Sequence, residues 1–210
     1  LGGQKVLSMA DNLGFGTAQE FGRGLWTAAG ELPSLQSLSN ARSLANFSFG
    51  QGELTATPLQ LCAMMNAIAS GGVYTSPRLI EGQVSQEKEL TPLASSSAQQ
   101  ARVMSASTAK ALEQALVSTA REGTGRAAAP ENGVVGIKTG TAQTGVFQGE
   151  EELLHFWYSG LVWDDTGPRY CVTVLRESAL DGQSLAAKAF QEVAQGLIAL
   201  ESGEETPEGN

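Results

Sequence analysis

Lys138-Thr139-Gly140-Thr141 is the stretch whose residue types could do chemistry together. It follows the apolar run Val134-Val135-Gly136-Ile137, which puts it on a strand. An ammonium group and two hydroxyls within four residues can bind a carboxylate, and a glycine among them lets a ligand lie against the strand edge. Taken alone, so short a match reads as a strand end with a solvated lysine and two β-branched residues. His155 is the single histidine. A Ser-His-Asp hydrolase would depend on it, yet no serine or carboxylate at a suggestive spacing accompanies it, so it reads as a strand-end residue with a satisfied ring. One histidine and two cysteines cannot build a zinc or iron-sulfur site, so no metal and no cofactor is expected. Cys62 and Cys171 lie far apart, and nothing in their spacing favours a bridge over two separate buried thiols.

The elements that must position this stretch come from a chain of 210 residues, enough for one domain with room for a small second one. With 41% hydrophobic and 17% charged residues it can build a core, which excludes a disordered chain. A net charge of −9 has the wrong sign for neutralising phosphates, so nucleic acid is not an expected partner. The uncharged run from Leu54 to Pro77 contains Pro58, Gln60, Asn66, Gly71 and Gly72, and reads as a buried helix between turns rather than a membrane span. No signal peptide or anchor is legible. The chain opens on Leu1-Gly2-Gly3 instead of Met, and its ends are expected to be cuts.

Val6, Ala10 and Leu13 predict a helix over residues 4–13 with Gly14 as its stop, and residues 15–50 read as loops and short helical turns. Thr57-Pro58-Leu59-Gln60 carries the signals of a capped helix start, followed by an apolar face of Leu61, Met64, Met65 and Ile68 and a Gly71-Gly72 stop. Residues 73–104, with Pro77, Pro92 and Ser95-Ser96-Ser97, hold one or two short strands. A second helix spans residues 107–122 with Leu112, Leu116 and Ala120 in line. Three strands, 134–142, 155–163 and 169–176, are expected to pair antiparallel, the last two joined by Asp164-Asp165-Thr166-Gly167-Pro168. Glu150-Glu151-Glu152 reads as a solvated loop. A helix over 184–200 aligns Ala186, Phe190, Val193, Leu197 and Leu200, with Gly196 expected to allow close approach to the sheet. Residues 201–210 read as a flexible acidic tail.

Six separated motifs then fall in a telling order: Gly50-Gln51-Gly52, Thr57-Pro58-Leu59-Gln60-Leu61, Ser70-Gly71-Gly72 with Pro77, Glu122-Gly123-Thr124-Gly125, Lys138-Thr139-Gly140-Thr141-Ala142-Gln143, and Phe156-Trp157-Tyr158-Ser159-Gly160. This order resembles the C-terminal part of the transpeptidase domain of penicillin-binding proteins, over residues 1–200. The glycine-flanked Gln51 looks like the class B proteins more than the class A ones, and a serine β-lactamase is a poorer match. The resemblance implies an α+β fold of the serine β-lactamase/transpeptidase type, an antiparallel sheet packed with helices, here as a partial domain. It also implies an enzyme that forms a serine acyl-enzyme with D-Ala-D-Ala stem peptides, or with the β-lactams that mimic them, on the extracytoplasmic face of the membrane. By the same resemblance, Lys138, Thr139, Gly140 and Thr141 line the substrate's carboxylate side. The N–H of Thr141 supplies half of the oxyanion hole.

The family's nucleophile lies in a Ser-x-x-Lys element, where the lysine sits one helical turn from the hydroxyl and helps remove its proton. Ser85-Gln86-Glu87-Lys88 and Ser107-Thr108-Ala109-Lys110 match that string. With nineteen serines and five lysines in the chain, about 0.5 such matches arise by chance. Both lie downstream of Gln51, whereas the family's nucleophile lies well upstream of it. Ser107 and Lys110 also start the helix leading to Glu122-Gly123-Thr124-Gly125, which in the family is scaffold, and no Ser-x-Asn occurs before Lys138. The expectation is therefore that the chain begins just after the Ser-x-Asn element. The nucleophile then lies in a missing N-terminal part of the same domain, and the chain alone does not acylate. A second reading is a β-lactam sensor or a catalytically silent module that binds cell-wall peptide in the same cleft.

Overall fold

The computed structural model describes residues 2–22, 24–80, 82–92 and 100–203. Ser95-Ser96-Ser97 and the tail from residue 204 lie outside the described residues. The elements in order are α1 (Gly3–Asn12), β1 (Glu20–Gly22), β2 (Leu25–Trp26), α2 (Ala41–Ser48), α3 (Pro58–Ala69), β3 (Val73–Thr75), β4 (Gly82–Val84), β5 (Leu90–Pro92), β6 (Gln100–Arg102), α4 (Ala106–Glu122), β7 (Val135–Gln148), β8 (Glu151–Trp163), β9 (Pro168–Ala179) and α5 (Gln183–Ser202). Among the described residues no helix is long and apolar enough to cross a membrane.

The three long strands form an antiparallel sheet in the order β7-β8-β9, as their spacing predicts. Side chains alternate between its faces. Ile137, Phe156, Tyr158 and Val162 pack on Ala186, Ala187, Phe190 and Ala194 of α5. Leu161 points the other way, into a cluster with Met65 and Ile68 of α3 and Leu116 of α4. The sheet is thus covered on both faces. A smaller core joins Leu13, Phe15, Ala63, Ala67 and Tyr74 beside it.

α3 starts as its sequence dictates. The Thr57 side chain accepts from Gln60 N, while the Gln60 side chain accepts from Thr57 N, closing a capping box with Pro58 in the first turn. Gln60 is also buried, and its Nε2 donates to Gly14 O (2.9 Å) and Ala29 O (2.8 Å), so the cap doubles as a brace between α1 and the loop after β2. Gly72 (φ 92°) stops the helix, and a Cβ there would lie 2.3 Å from Met104 O.

Several expectations need correction. Residues 15–50 hold a β1–β2 hairpin and the helix α2, whose N-terminus is capped by Asn40 Oδ1 accepting from Arg42 N (2.9 Å) and Ser43 N (3.3 Å). Residues 73–104 contain four short strands, paired as β3-β6 and β4-β5. In α4, Leu116 and Ala120 are buried as expected, but Leu112 is exposed and Ala109 and Glu113 complete the buried face, the Glu113 carboxylate paired with Lys110 Nζ at 2.8 Å. In α5 the buried line runs Ala186, Phe190, Ala194. Val193 (47% exposed) and Leu200 (66%) face outward, and a Cβ at Gly196 would meet nothing. Alanines on either side of Phe190, rather than Gly196, let this helix approach the sheet. α5 also continues through Glu201 and Ser202, and Glu201 accepts a hydrogen bond from Tyr170 Oη. Glu151 and Glu152 belong to β8, where Glu152 accepts from Gln143 Nε2 (3.0 Å) and Gly145 N (2.8 Å) across the hairpin.

Cys62 on α3 and Cys171 on β9 are free thiols, but the fold makes them neighbours. Cys62 Sγ donates to Cys171 O at 3.3 Å. Hydrogen bonding from the Cys171 thiol holds the Cys62 thiol down to about 7; burial opposes this and Thr173 assists it. The same contact, with burial, pushes Cys171 up. A thiolate is the reactive form, so alkylation should rise as pH passes upward through the lower value. Iodoacetamide at pH 8 is expected to label Cys62 while Cys171 stays unmodified in the folded chain, read by peptide mass mapping. Equal labelling of both would refute the asymmetry.

Candidate functional site

β7 is an edge strand of the three-stranded sheet, and its geometry decides what Lys138-Thr139-Gly140-Thr141 presents. In an antiparallel pair the N–H and C=O of one residue point the same way, and alternate residues point oppositely. Trp163 N donates to Val134 O at 3.0 Å, and the register then runs without interruption from Val135↔Val162 to Gln143↔Leu154. Even-numbered residues of this stretch therefore pair with β8. Thr139 and Thr141, opposite Tyr158 and Phe156, turn their N–H and C=O groups to the open edge.

Three loops or side chains close on that edge. Lys138 Nζ donates to Thr139 O at 2.5 Å. The Thr139 hydroxyl shares a hydrogen bond of 2.8 Å with the Thr124 hydroxyl. Gln51 Nε2 donates to Thr141 O at 3.0 Å. Motifs up to ninety residues apart in sequence thus meet within four residues of one strand.

The glycines show how. A Cβ at Gly125 would come within 2.9 Å of Ile137 Cβ, so glycine there lets the Glu122-Gly123-Thr124-Gly125 turn press against β7 and bring Thr124 to Thr139. At Gly140 the reverse holds. A Cβ would meet only Trp157, at an ordinary 3.5 Å, so packing within the chain does not demand glycine at that position. An open face beside a strand edge is what a ligand lying along the strand requires.

The other groups singled out by sequence lie elsewhere. His155 is opposite Ala142 inside β8 rather than at its end, because the strand begins at Glu151, and its Nδ1 accepts from Ser178 N at 3.0 Å. Lys110 is paired with Glu113 rather than with Ser107, whose hydroxyl shares a bond with Ser105 Oγ at 2.9 Å. Ser85 Oγ accepts from Glu87 N and Glu89 N in a turn. A cavity of about 350 Å³ between α4 and the start of β7 is lined by Lys110, Glu113, Arg121, Glu122 and Trp163 among others, with none of Lys138 to Thr141 on its wall. Among the described residues no three His, Cys, Asp or Glu side chains gather to hold a metal. Thr124 and Gln51 are the site neighbours that no local spacing marks. The only sequence signal for them is the order of the six motifs.

Comparison with known proteins fits this geometry to a family. The model of the penicillin binding protein transpeptidase domain matches residues 1–195. The chain belongs to the penicillin-binding protein transpeptidase family. It is 31% identical over 202 residues to penicillin-binding protein PbpB of Mycolicibacterium smegmatis, covering 88% of this chain and 30% of the relative. Stage V sporulation protein D of Bacillus subtilis is 34% identical over 144 residues, 68% of this chain and 22% of that one. Among solved structures, penicillin-binding protein 3 of Mycobacterium tuberculosis complexed with aztreonam superposes with a TM-score of 0.79 at 28% identity, over 98% of this chain and 48% of that one. Its ampicillin complex gives 0.79 at 27%, over 100% and 48%. The chain thus spans under a third of the curated relatives' length and about half of the solved chains. As a family member it has the α+β transpeptidase fold that its resemblance implied.

Proposed function

We propose that this chain is the substrate-edge portion of a peptidoglycan D,D-transpeptidase acting on the extracytoplasmic face of the membrane, and that β-lactams acylate the complete protein. The open edge of β7 carries this reading. Thr139 and Thr141 turn their backbone N–H and C=O groups to it, out of the β8 ladder, each carbonyl holding one side-chain donor and keeping a second lone pair, with an ammonium group and two hydroxyls beside them. A stem peptide ending in D-Ala-D-Ala would lie along that edge, its terminal carboxylate taken by Lys138 and the hydroxyls of Thr139 and Thr141. Gly140 leaves room for its backbone.

The Thr141 N–H would then donate to the carbonyl oxygen as it gains negative charge under attack by a serine hydroxyl. The ester to that serine forms as the D-Ala-D-Ala peptide bond breaks, and terminal D-Ala leaves with the proton. An amine of a second stem peptide then displaces the serine and forms the cross-link. A β-lactam follows the first half of this path, with its ring amide opened instead. The aztreonam and ampicillin complexes of the M. tuberculosis relative support β-lactam binding.

Among the described residues neither Ser85 nor Ser107 has a lysine partner, which supports a nucleophile in sequence outside these 210 residues. A fluorescent penicillin tests both parts. The full-length gene product should gain one covalent label on a serine upstream of Leu1, and the 210-residue chain should gain none. A stable adduct on any serine of this chain would overturn the assignment of the nucleophile. An unlabelled full-length protein would overturn the transpeptidase reading in favour of a silent peptide-binding module.

A further inference from the structure

We propose that Gln51 is a positioning residue for acylation, one half of a two-point clamp about Gly140 that aims the Thr141 N–H; this rests on the transpeptidase reading above. Gly140 lies between the two open-edge residues and has no side chain to fix it. The peptide plane from Gly140 to Thr141, which bears that N–H, is held from the β8 side by the pairing of Gly140 with Trp157, and glycine's backbone freedom leaves its tilt to whatever restrains the two flanking threonines. The structure restrains it from both sides. Upstream, Thr139 is tied through its hydroxyl to Thr124 at 2.8 Å. Downstream, the Thr141 carbonyl is tied to Gln51 Nε2 at 3.0 Å.

The Gln51 anchor is itself firmly mounted. Gln51 N donates to Asn46 O at 2.9 Å and Gly50 N to Phe47 O at 3.1 Å, so the loop is fastened to the last turn of α2. That helix is held by the Asn40 cap and by Phe47, 6% exposed. Gly50 (φ 83°) and Gly52 (φ 85°) are both left-handed. A Cβ on Gly50 would meet nothing and one on Gly52 only Asn46, at 3.5 Å. These glycines therefore serve the backbone path, not close packing, and what that path delivers to β7 is the Gln51 carboxamide. The Thr141 carbonyl keeps its second lone pair for a ligand N–H, so the anchor need not compete with substrate.

Such a clamp acts where charge develops, because a donor misplaced by about 1 Å can cost about 100-fold in rate while ground-state binding barely changes. Two variants of the full-length protein decide the matter. Gln51→Ala removes the donor, and Gln51→Glu keeps the shape but faces the carbonyl with an acceptor. With ampicillin, both are expected to lower the limiting acylation rate constant about 10- to 100-fold, while the dissociation constant of the preceding non-covalent complex stays near the wild-type value. Thermal melts report the folded fraction of each variant. Wild-type limiting rates in Gln51→Glu would overturn the inference. So would a loss carried wholly by weaker non-covalent binding, or by a smaller folded fraction, since Gln51 would then be a ligand contact or a brace of the fold. Failure of the unmodified protein to acylate would instead refute the transpeptidase reading, so the two failures are distinguishable.

Discussion

Replacing Lys138 with alanine in the full-length protein is expected to lower the second-order rate of acylation by ampicillin about 10- to 100-fold. A hydrogen bond to a charged group is worth about 1.5–3 kcal/mol, and the ligand's carboxylate is the group that Lys138 would meet. The fold should survive the change. The Lys138 side chain is exposed, and its one recorded bond is to the carbonyl of its own neighbour, Thr139. No buried partner is left behind. Lys138→Arg keeps the charge on a longer, forked group and should retain part of the rate. The loss should reside in the non-covalent dissociation constant, unlike the loss expected at Gln51, because a carboxylate is charged in the ground state as well as the transition state. An unchanged rate in Lys138→Ala would mean that the β7 edge is not where the ligand's carboxylate binds.

The strand β7 could be read from sequence because its signal is local: an apolar run, then Lys138 and two threonines around a glycine. The start of α3 could be read for the same reason, since Thr57, Pro58 and Gln60 fall within four consecutive residues whose geometry a single turn fixes. What escaped was set by tertiary partners. Asn40 is a good cap, but the eight-residue α2 behind it has no long periodic stripe to announce it. Thr124 and Gln51 reach the site through contacts spanning 15 and 90 residues. Their chemistry is ordinary until the fold puts Thr139 and Thr141 in front of them. Family resemblance gathered these motifs into one list, and only the register of β7 on β8 shows which atoms meet. The two cysteines teach the same lesson, because 109 residues separate the Cys62 thiol from the Cys171 carbonyl that the packing of α3 on β9 brings to it.

The line of buried residues on α5 offers the other large effect. Phe190 is fully buried, and its ring reaches through the sheet face to Gly160, where a Cβ would lie 3.0 Å from Cζ. Gly160 pairs with Ile137, the residue just before Lys138, so Phe190 supports from behind the stretch of β7 that leads into the site. Phe190→Ala should destabilise the chain by about 3–5 kcal/mol, the cost of a phenyl ring's burial plus the cavity left by a helix and sheet that cannot fully collapse. That is a large part of the 5–15 kcal/mol typical of a whole domain, so the urea midpoint should fall sharply. Val193→Ala supplies the contrast. A stripe drawn through the largest apolar residues counts Val193 as core, whereas at 47% exposed it should change stability by no more than about 0.5 kcal/mol. If both substitutions cost the same, α5 packs on the sheet through the Val193 face, and the alanine line of Ala186, Ala187 and Ala194 is not the contact that sets the sheet's position behind the site.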